Sequence, residues 1–155
     1  MRKTRAKKRE LAPDPRFKDP TVTRFVNNLM WAGEKSKAFG IFYGAMDIIS
    51  DRTGEDPHEI WKKAVSNATP SVEVKTRRLG GSNLQIPIDI RPDRRISMSM
   101  KWLISYARKR SGKSMSEKLA AELIAASRGE GETIKKKETV HKMAESNKAY
   151  SHFRV

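Results

Sequence analysis

The stretch Ser71-Val72-Glu73-Val74-Lys75-Thr76-Arg77-Arg78-Leu79-Gly80-Gly81-Ser82-Asn83-Leu84-Gln85-Ile86-Pro87-Ile88-Asp89-Ile90-Arg91 decides the architecture, because here the apolar period switches from helical to two. Val72 and Val74 alternate with Glu73 and Lys75. Leu84, Ile86, Ile88 and Ile90 alternate with Gln85, Pro87, Asp89 and Arg91, and Gly80-Gly81-Ser82-Asn83 between the two runs is turn material. The pattern predicts a β-hairpin over 71–91 with one apolar face, and Pro87 suits a ribbon with open edges. Lys75, Arg77 and Arg78 run toward its tip. A lone hairpin is marginal in water, so this one must lean on the rest of the chain and project its basic end toward a partner.

The flanking sequence is helical. Val22, Phe25, Val26, Leu29 and Met30 make one face of a helix over Thr21–Ala32, with Gly33 placed to end it. Ala38, Ile41, Phe42, Ala45 and Ile49 mark a second helix over Lys35–Arg52, in which Gly40 and Gly44 permit close packing. Asp56-Pro57-His58-Glu59 opens a third with a capping acid, a proline in the first turn and an early glutamate, and Pro70 stops it. A fourth begins near Asp93 and ends at Gly112, with Ile96, Met100, Leu103, Ile104 and Ala107 as its stripe. Ser114-Met115-Ser116-Glu117 is a capping box for a fifth, with Leu119, Ala120, Leu123 and Ile124 inside. A sixth spans about Ile134–Ala149, docked by Val140, Met143 and Ala144 on a thin apolar face. The fold class expected is mainly α: a bundle of about six helices with a projecting β-hairpin and a basic extended N-terminal arm. Trp31, Trp61 and Trp102 fall in predicted helices and read as core or boundary residues.

Charge is the strongest functional signal. The 155 residues hold 33 Lys+Arg against 18 Asp+Glu, a formal charge of +15. Residues 1–18 carry +6, residues 71–95 carry +3, and residues 96–113 carry +5 without a single acid, whereas residues 19–70 come to −1. A surface shaped for solubility alone mixes its signs more evenly. The arm over 1–12, with Arg2, Lys3, Arg5, Lys7, Lys8 and Arg9, repels itself and is expected to be disordered until it meets a polyanion. Pro13, Pro15 and Pro20 then predict an extended leader. A basic arm, a basic ribbon and an acid-free helix in one small chain point to nucleic acid.

Other classes are excluded or disfavoured. The chain has no cysteine, so disulfides, thiolate metal sites and cysteine nucleophiles are ruled out. No run approaches a membrane span, and the basic N-terminus has no apolar segment behind it, so a soluble cytoplasmic protein is expected. His58, His141 and His152 are too scattered for a metal site; His58 reads as a surface residue and His141 as exposed or close to phosphate. Phosphate-binding glycine loops and serine-nucleophile motifs are absent, so neither catalytic residue, metal nor cofactor is expected. Aromatics make up 7% of the chain and none lies on the hairpin, which disfavours base reading on a sheet and favours phosphate contact with shape recognition. On the residues alone, an architectural DNA-bending protein with a basic ribbon on a helical base is the strongest rival to an RNA binder. An enzyme acting on RNA is a third reading.

The chain resembles bacterial small-subunit ribosomal protein seven across nearly its full length. Carrying stretches are Pro13-Asp14-Pro15-Arg16-Phe17, Phe25-Val26-Asn27-Asn28-Leu29-Met30, and the hairpin from Pro70 to Ser82. Ile90-Arg91-Pro92-Asp93-Arg94-Arg95, Ala107-Arg108-Lys109-Arg110, Lys113-Ser114-Met115 and Val140-His141-Lys142-Met143-Ala144-Glu145-Ser146-Asn147-Lys148-Ala149 continue the likeness. Glu34 stands where that family usually has a basic residue, and Asp93 reads as a helix cap. The resemblance implies one RNA-binding domain over 1–155 that binds the 3′ major domain of small-subunit ribosomal RNA and starts assembly of the subunit head. It implies a hairpin tip of Arg77, Arg78, Leu79, Gly80, Gly81, Ser82 and Asn83 near exit-site transfer RNA and messenger RNA. Other head proteins and platform protein eleven are implied neighbours. Implied RNA contacts are the basic arm, Lys35, Lys37, Lys75, Arg77, Arg78, Arg91, Arg94, Arg95, Arg108, Lys109, Arg110, Lys113, Lys136 and Lys142.

Overall fold

Local chemistry starts most of the helices. Asp19 accepts the Thr21 N–H at 2.7 Å and Pro20 fills the first turn, opening α1 (Pro20–Leu29). Asp56 and Pro57 do the same for α3 (Pro57–Ala68), and Ser114 accepts the Glu117 N–H at 3.2 Å to open α5 (Met115–Ser127). The computed structural model, describing residues 9–153, completes the fold with α2 (Lys35–Thr53), the strands β1 (Val72–Leu79) and β2 (Ser82–Asp89), α4 (Pro92–Lys109), α6 (Glu132–Ser146) and a 3₁₀ turn (Lys148–Phe153). The mainly α bundle with a projecting hairpin is therefore the observed class. α5 is its central element and packs against α2, α3, α4 and α6. Phe25, Phe42 and Trp61 meet edge-on or tilted, with centroids 5.6–6.0 Å apart, in the core between α1, α2 and α3. Of the two α2 glycines only Gly44 is a close approach: a Cβ there would lie 3.1 Å from the Ser116 hydroxyl of α5, while Gly40 faces open space.

Several expectations give way. α1 stops at Leu29, so Trp31 lies beyond it and is 73% exposed rather than packed. Arg91, not Asp93, is the N-cap residue of α4, and Asp93 sits in its first turn. Of the residues expected to dock α6, Ala144 is buried but Met143 is 48% exposed, and Thr133 and Ile134 in the first turn complete the buried contact. The leader is not extended but folded into a turn. Buried Asp14 accepts the N–H groups of Arg16 at 3.0 Å and Phe17 at 2.8 Å and the Tyr43 hydroxyl at 2.7 Å. Burial and that bond to Asp14 push the Tyr43 phenol up to about 12. Of the predicted disordered arm, residues 1–8 lie outside the described residues; residues 9–12 have no regular structure, and the Thr23 hydroxyl donates to the Ala12 carbonyl at 2.8 Å. His58 is not a surface residue. Its ring stacks on Phe17 and Trp61, at 4.9 and 5.7 Å, and lies 3.2 Å from the Asp19 carboxylate. Burial works against the charge on Asp19, but Thr21 and His58 outweigh it and hold that carboxyl below 3.8.

The hairpin forms, but its register overturns the single apolar face. Leu79 pairs with Ser82 across a two-residue turn in which Gly80 and Gly81 take φ of +54° and +90°, values suited to glycine. Val74 therefore sits opposite Pro87, and Lys75 opposite Ile86. Directly paired residues share a face. Val72, Val74 and Pro87 lie on one face, and Leu84, Ile86 and Ile88 on the other with Glu73, Lys75 and Arg77. Burial at the base reaches both faces, since Ile86, Pro87 and Glu73 are all buried.

Two polar clusters fix the geometry. Glu122, fully buried on α5, pairs with Arg110 at the end of α4 and accepts from both the N–H and the hydroxyl of Thr133 in the first turn of α6. At the hairpin's foot, the Ser71 N–H donates to His141 Nε2 of α6 at 3.1 Å. Burial, with Lys137 nearby, pushes the His141 imidazole below its usual 6.5.

Removing one partner of a buried ion pair strands the other. Glu122→Ala is expected to lower the unfolding free energy by about 3 kcal/mol, read as an earlier urea midpoint; an unchanged midpoint removes the role given to Glu122. His141 serves as an acceptor only when neutral. The unfolded chain takes up the proton first as pH falls below 6.5, so the contribution is intact above 6.5 and lost as pH falls through the lower folded value. Between about pH 7 and 5, wild type is expected to lose stability relative to His141→Gln, whose amide accepts but does not titrate. Parallel urea midpoints across that window would contradict it.

Candidate nucleic-acid interface

Among the described residues, the bundle sorts its cations into those engaged by protein partners and those left without one. Arg94 grips buried Glu73 with both arms, Nε to Oε1 at 3.0 Å and Nη2 to Oε2 at 2.8 Å, clamping α4 to β1. That pairing raises the guanidinium above its already high range. Arg95 donates to the Ile90 carbonyl at 2.8 Å, and Arg110 is committed to Glu122. Within the Lys135-Lys136-Lys137 run, Lys135 pairs with Glu132 at 2.8 Å and Lys137 caps the Asn67 carbonyl of α3 at 2.7 Å, leaving Lys136 unpaired and half-buried. Lys37 pairs with Glu34 at 2.8 Å on the surface, an exposed contact of small energetic weight.

The outward set is exposed and, among the described residues, its side-chain cations form no salt bridge: Arg9, Lys35, Lys75, Arg77, Arg78, Arg91, Lys113, whose backbone N–H donates to Glu117 at 3.2 Å, and Lys142. Lys109 and Arg108 lean on rings instead, Lys109 at 5.2 Å from Tyr106 and Arg108 at 5.1 Å from Trp31. Arg2, Lys3, Arg5, Lys7 and Lys8 lie outside the described residues.

α4 arranges this set. Its 18 residues span about 27 Å. Arg91, with Arg94 and Arg95, stands at the hairpin end. At the far end stand Arg108, Lys109, Arg110 and Lys113. Arg108 Nη2 donates to the Leu29 carbonyl at 3.1 Å, setting that far end against the end of α1, and Lys35 and Lys37 follow in the first turn of α2. The hairpin tip does not join either group. Its strands of eight residues extend about 27 Å. The register puts Lys75 and Arg77 on one face and Arg78 on the other, so the ribbon is basic on both sides.

One residue at this interface escapes a reading by composition. Trp31 stands beside Arg108 with its ring in the open. A signal existed: nine positions after Val22, it points about 180° from the buried stripe of α1 on a helical wheel. Among the described residues no cluster of His, Asp and Glu suits a metal ion, and no helix is long and apolar enough to cross a membrane.

Comparison with known proteins gives this geometry its context. The family described as Ribosomal protein S7p/S5e matches residues 1–148. The chain is 60% identical over its whole length to the small ribosomal subunit protein uS7 of Amoebophilus asiaticus (strain 5a2), which it also covers completely. It is 55% identical to that of Cytophaga hutchinsonii and 60% identical to that of Flavobacterium johnsoniae, with 99% of each chain covered. A bundle that buries acids to hold its frame and turns clusters of cations outward is what such a protein needs, and the chain belongs to the S7p/S5e family of ribosomal proteins, non-catalytic components of the small subunit that work with ribosomal RNA and other ribosomal proteins in the cytoplasmic ribosome.

Proposed function

We propose that the chain, as one RNA-binding domain over 1–155, binds the 3′ major domain of small-subunit ribosomal RNA directly and nucleates assembly of the subunit head. The observation that carries this reading is the pair of cation clusters about 27 Å apart at the two ends of α4. A rigid helix holds two phosphate-binding surfaces at a fixed separation, which suits two converging RNA helices that otherwise repel each other. Arg91, Arg94 and Arg95 serve one; Lys35, Lys37, Arg108, Lys109, Arg110, Lys113 and Lys136 serve the other; Lys142 and the arm residues Arg2, Lys3, Arg5, Lys7, Lys8 and Arg9 add to them. Arg94 and Arg110 act chiefly by positioning, since their guanidinium groups already hold Glu73 and Glu122. The hairpin, basic on both faces through Lys75, Arg77 and Arg78, reaches toward exit-site transfer RNA and the messenger path. Its tip from Arg77 to Asn83 approaches platform protein eleven, and the bundle helps recruit other head proteins.

With about eight phosphates neutralised, affinity for a folded head-domain RNA is expected to fall by roughly three to five decades between 50 and 200 mM salt on the duplex scale. The same titration against mixed-sequence duplex DNA separates this function from DNA architecture: equal or tighter binding to DNA overturns the proposal. For the hairpin, Arg77→Ala combined with Arg78→Ala is expected to weaken exit-site transfer RNA protection several-fold while head assembly proceeds at the wild-type rate. Assembly stalling first would show that the ribbon serves the RNA scaffold instead.

A further inference from the structure

Trp31 is the largest exposed apolar side chain among the described residues, and it sits inside the cationic cluster at the far end of α4. Its position is built. The chain leaves α1 at Leu29 and reverses through Ala32 at φ +50° and Gly33 at φ +80°. A left-handed alanine is strained, and the Glu34 N–H donating to the Trp31 carbonyl at 3.0 Å closes the turn that holds it there. The guanidinium of Arg108 lies 5.1 Å from the ring centroid and is itself tied to the Leu29 carbonyl. One side of the indole is therefore backed by a fixed cation while the ring remains 73% exposed. Arg108 touches the ring; Lys109, the next residue, lies over Tyr106, and Lys35, four residues along the chain from Trp31, is exposed with its ammonium 5.8 Å from the Phe39 ring; the adjacent acid Glu34 is paired with Lys37. The residues that follow Trp31 in the turn, Ala32, Gly33, Glu34 and Lys35, are small or charged and all exposed, and among the described residues no other aromatic ring stacks on the indole. A protein-docking anchor wants an apolar rim to exclude solvent. A flat π-face flanked by unpaired cations matches an unpaired nucleotide, whose base stacks while its phosphates meet the charges.

We propose that Trp31 is a stacking site for an unpaired base of the bound ribosomal RNA, with Arg108 bracing the indole from behind and Lys35 meeting the adjoining phosphate. This rests on the RNA-binding function proposed above and adds to it a contact that charge counting misses. Every base has a π-face, so the site selects an unstacked nucleotide rather than a sequence. The site also accounts for the strained turn: it places the ring where a base can reach it.

The test uses the full chain and a folded RNA fragment covering the 3′ major domain, with filter-binding affinities at fixed salt. Trp31→Ala is expected to weaken binding by about 5- to 150-fold, the range of one base–aromatic stack. Trp31→Phe should recover most of the loss. The salt dependence should be the same in all three proteins, because no phosphate contact is removed. Indole emission lost on Trp31→Ala substitution should be quenched by acrylamide in the free wild-type protein and protected in the complex. Wild-type affinity in Trp31→Ala, or an indole equally open to acrylamide with and without RNA, overturns the stacking site alone. Failure of the wild-type chain to bind the fragment overturns RNA binding and the stacking site together.

Discussion

Glu122 carries its carboxylate into the middle of a chain with fifteen surplus positive charges, and three helices are oriented by it. The cost of removing a carboxylate from water is recovered only through complete partnering. Arg110 takes one oxygen; the amide and hydroxyl of Thr133 take the other. Because those partners belong to the end of α4 and the start of α6, satisfying the charge fixes how both helices meet α5. Space around it is equally constrained: at Gly131, φ +95°, a Cβ would stand 3.4 Å from Glu122 Oε1 and 3.3 Å from the Ala125 Cβ. Asp14 and Glu73 repeat the arrangement elsewhere. Asp14 gathers the leader against Tyr43, and Glu73 draws Arg94 across to the hairpin. Buried acids thus hold the junctions, Glu122 and Glu73 through arginines and Asp14 through N–H and O–H donors, while many outer cations stay unpaired.

How much of this could be read in advance depended on how local the cause was. The caps at Asp56 and Ser114 and the Gly80-Gly81 turn act over three or four residues, so their consequences are legible in the chain itself. The face of the hairpin is not local in that sense. With a two-residue turn, an even-numbered residue always pairs with an odd-numbered one. Val74 and Ile86, both even, must then lie on opposite faces, although each strand alternates as an amphipathic strand should. One residue more or less in the turn would have put them together. Periodicity within a strand is blind to that parity.

The candidate interface was legible as a total and illegible as an allocation. Composition shows that the segment 96–113 carries five basic residues and no acid, yet it says nothing about which of them reach acids elsewhere. Arg110 finds its partner twelve residues away and Arg94 twenty-one, through tertiary packing alone. Three consecutive lysines, Lys135 to Lys137, have three different fates for the same reason. Histidines mislead in the same way. His58 and His141 look peripheral by spacing, but one is stacked between aromatic rings and the other accepts a backbone N–H at the hairpin's foot.

The separation between cation clusters decides whether such a protein can fold before it finds its RNA. At physiological ionic strength, fields decay over about 8 Å. Clusters at the ends of α4 stand roughly three times farther apart, given about 27 Å for its 18 residues. Their mutual repulsion is therefore screened, and only repulsion within each cluster weighs against the fold. The far cluster lessens that burden by leaning Arg108 and Lys109 on Trp31 and Tyr106; the near one does so by pairing Arg94 with Glu73. A frame stabilised in this way presents two basic surfaces at a fixed separation. In the proposed RNA-binding function, binding at the first would hold the second near its own RNA helix, so the second contact would form at high effective concentration rather than from free diffusion.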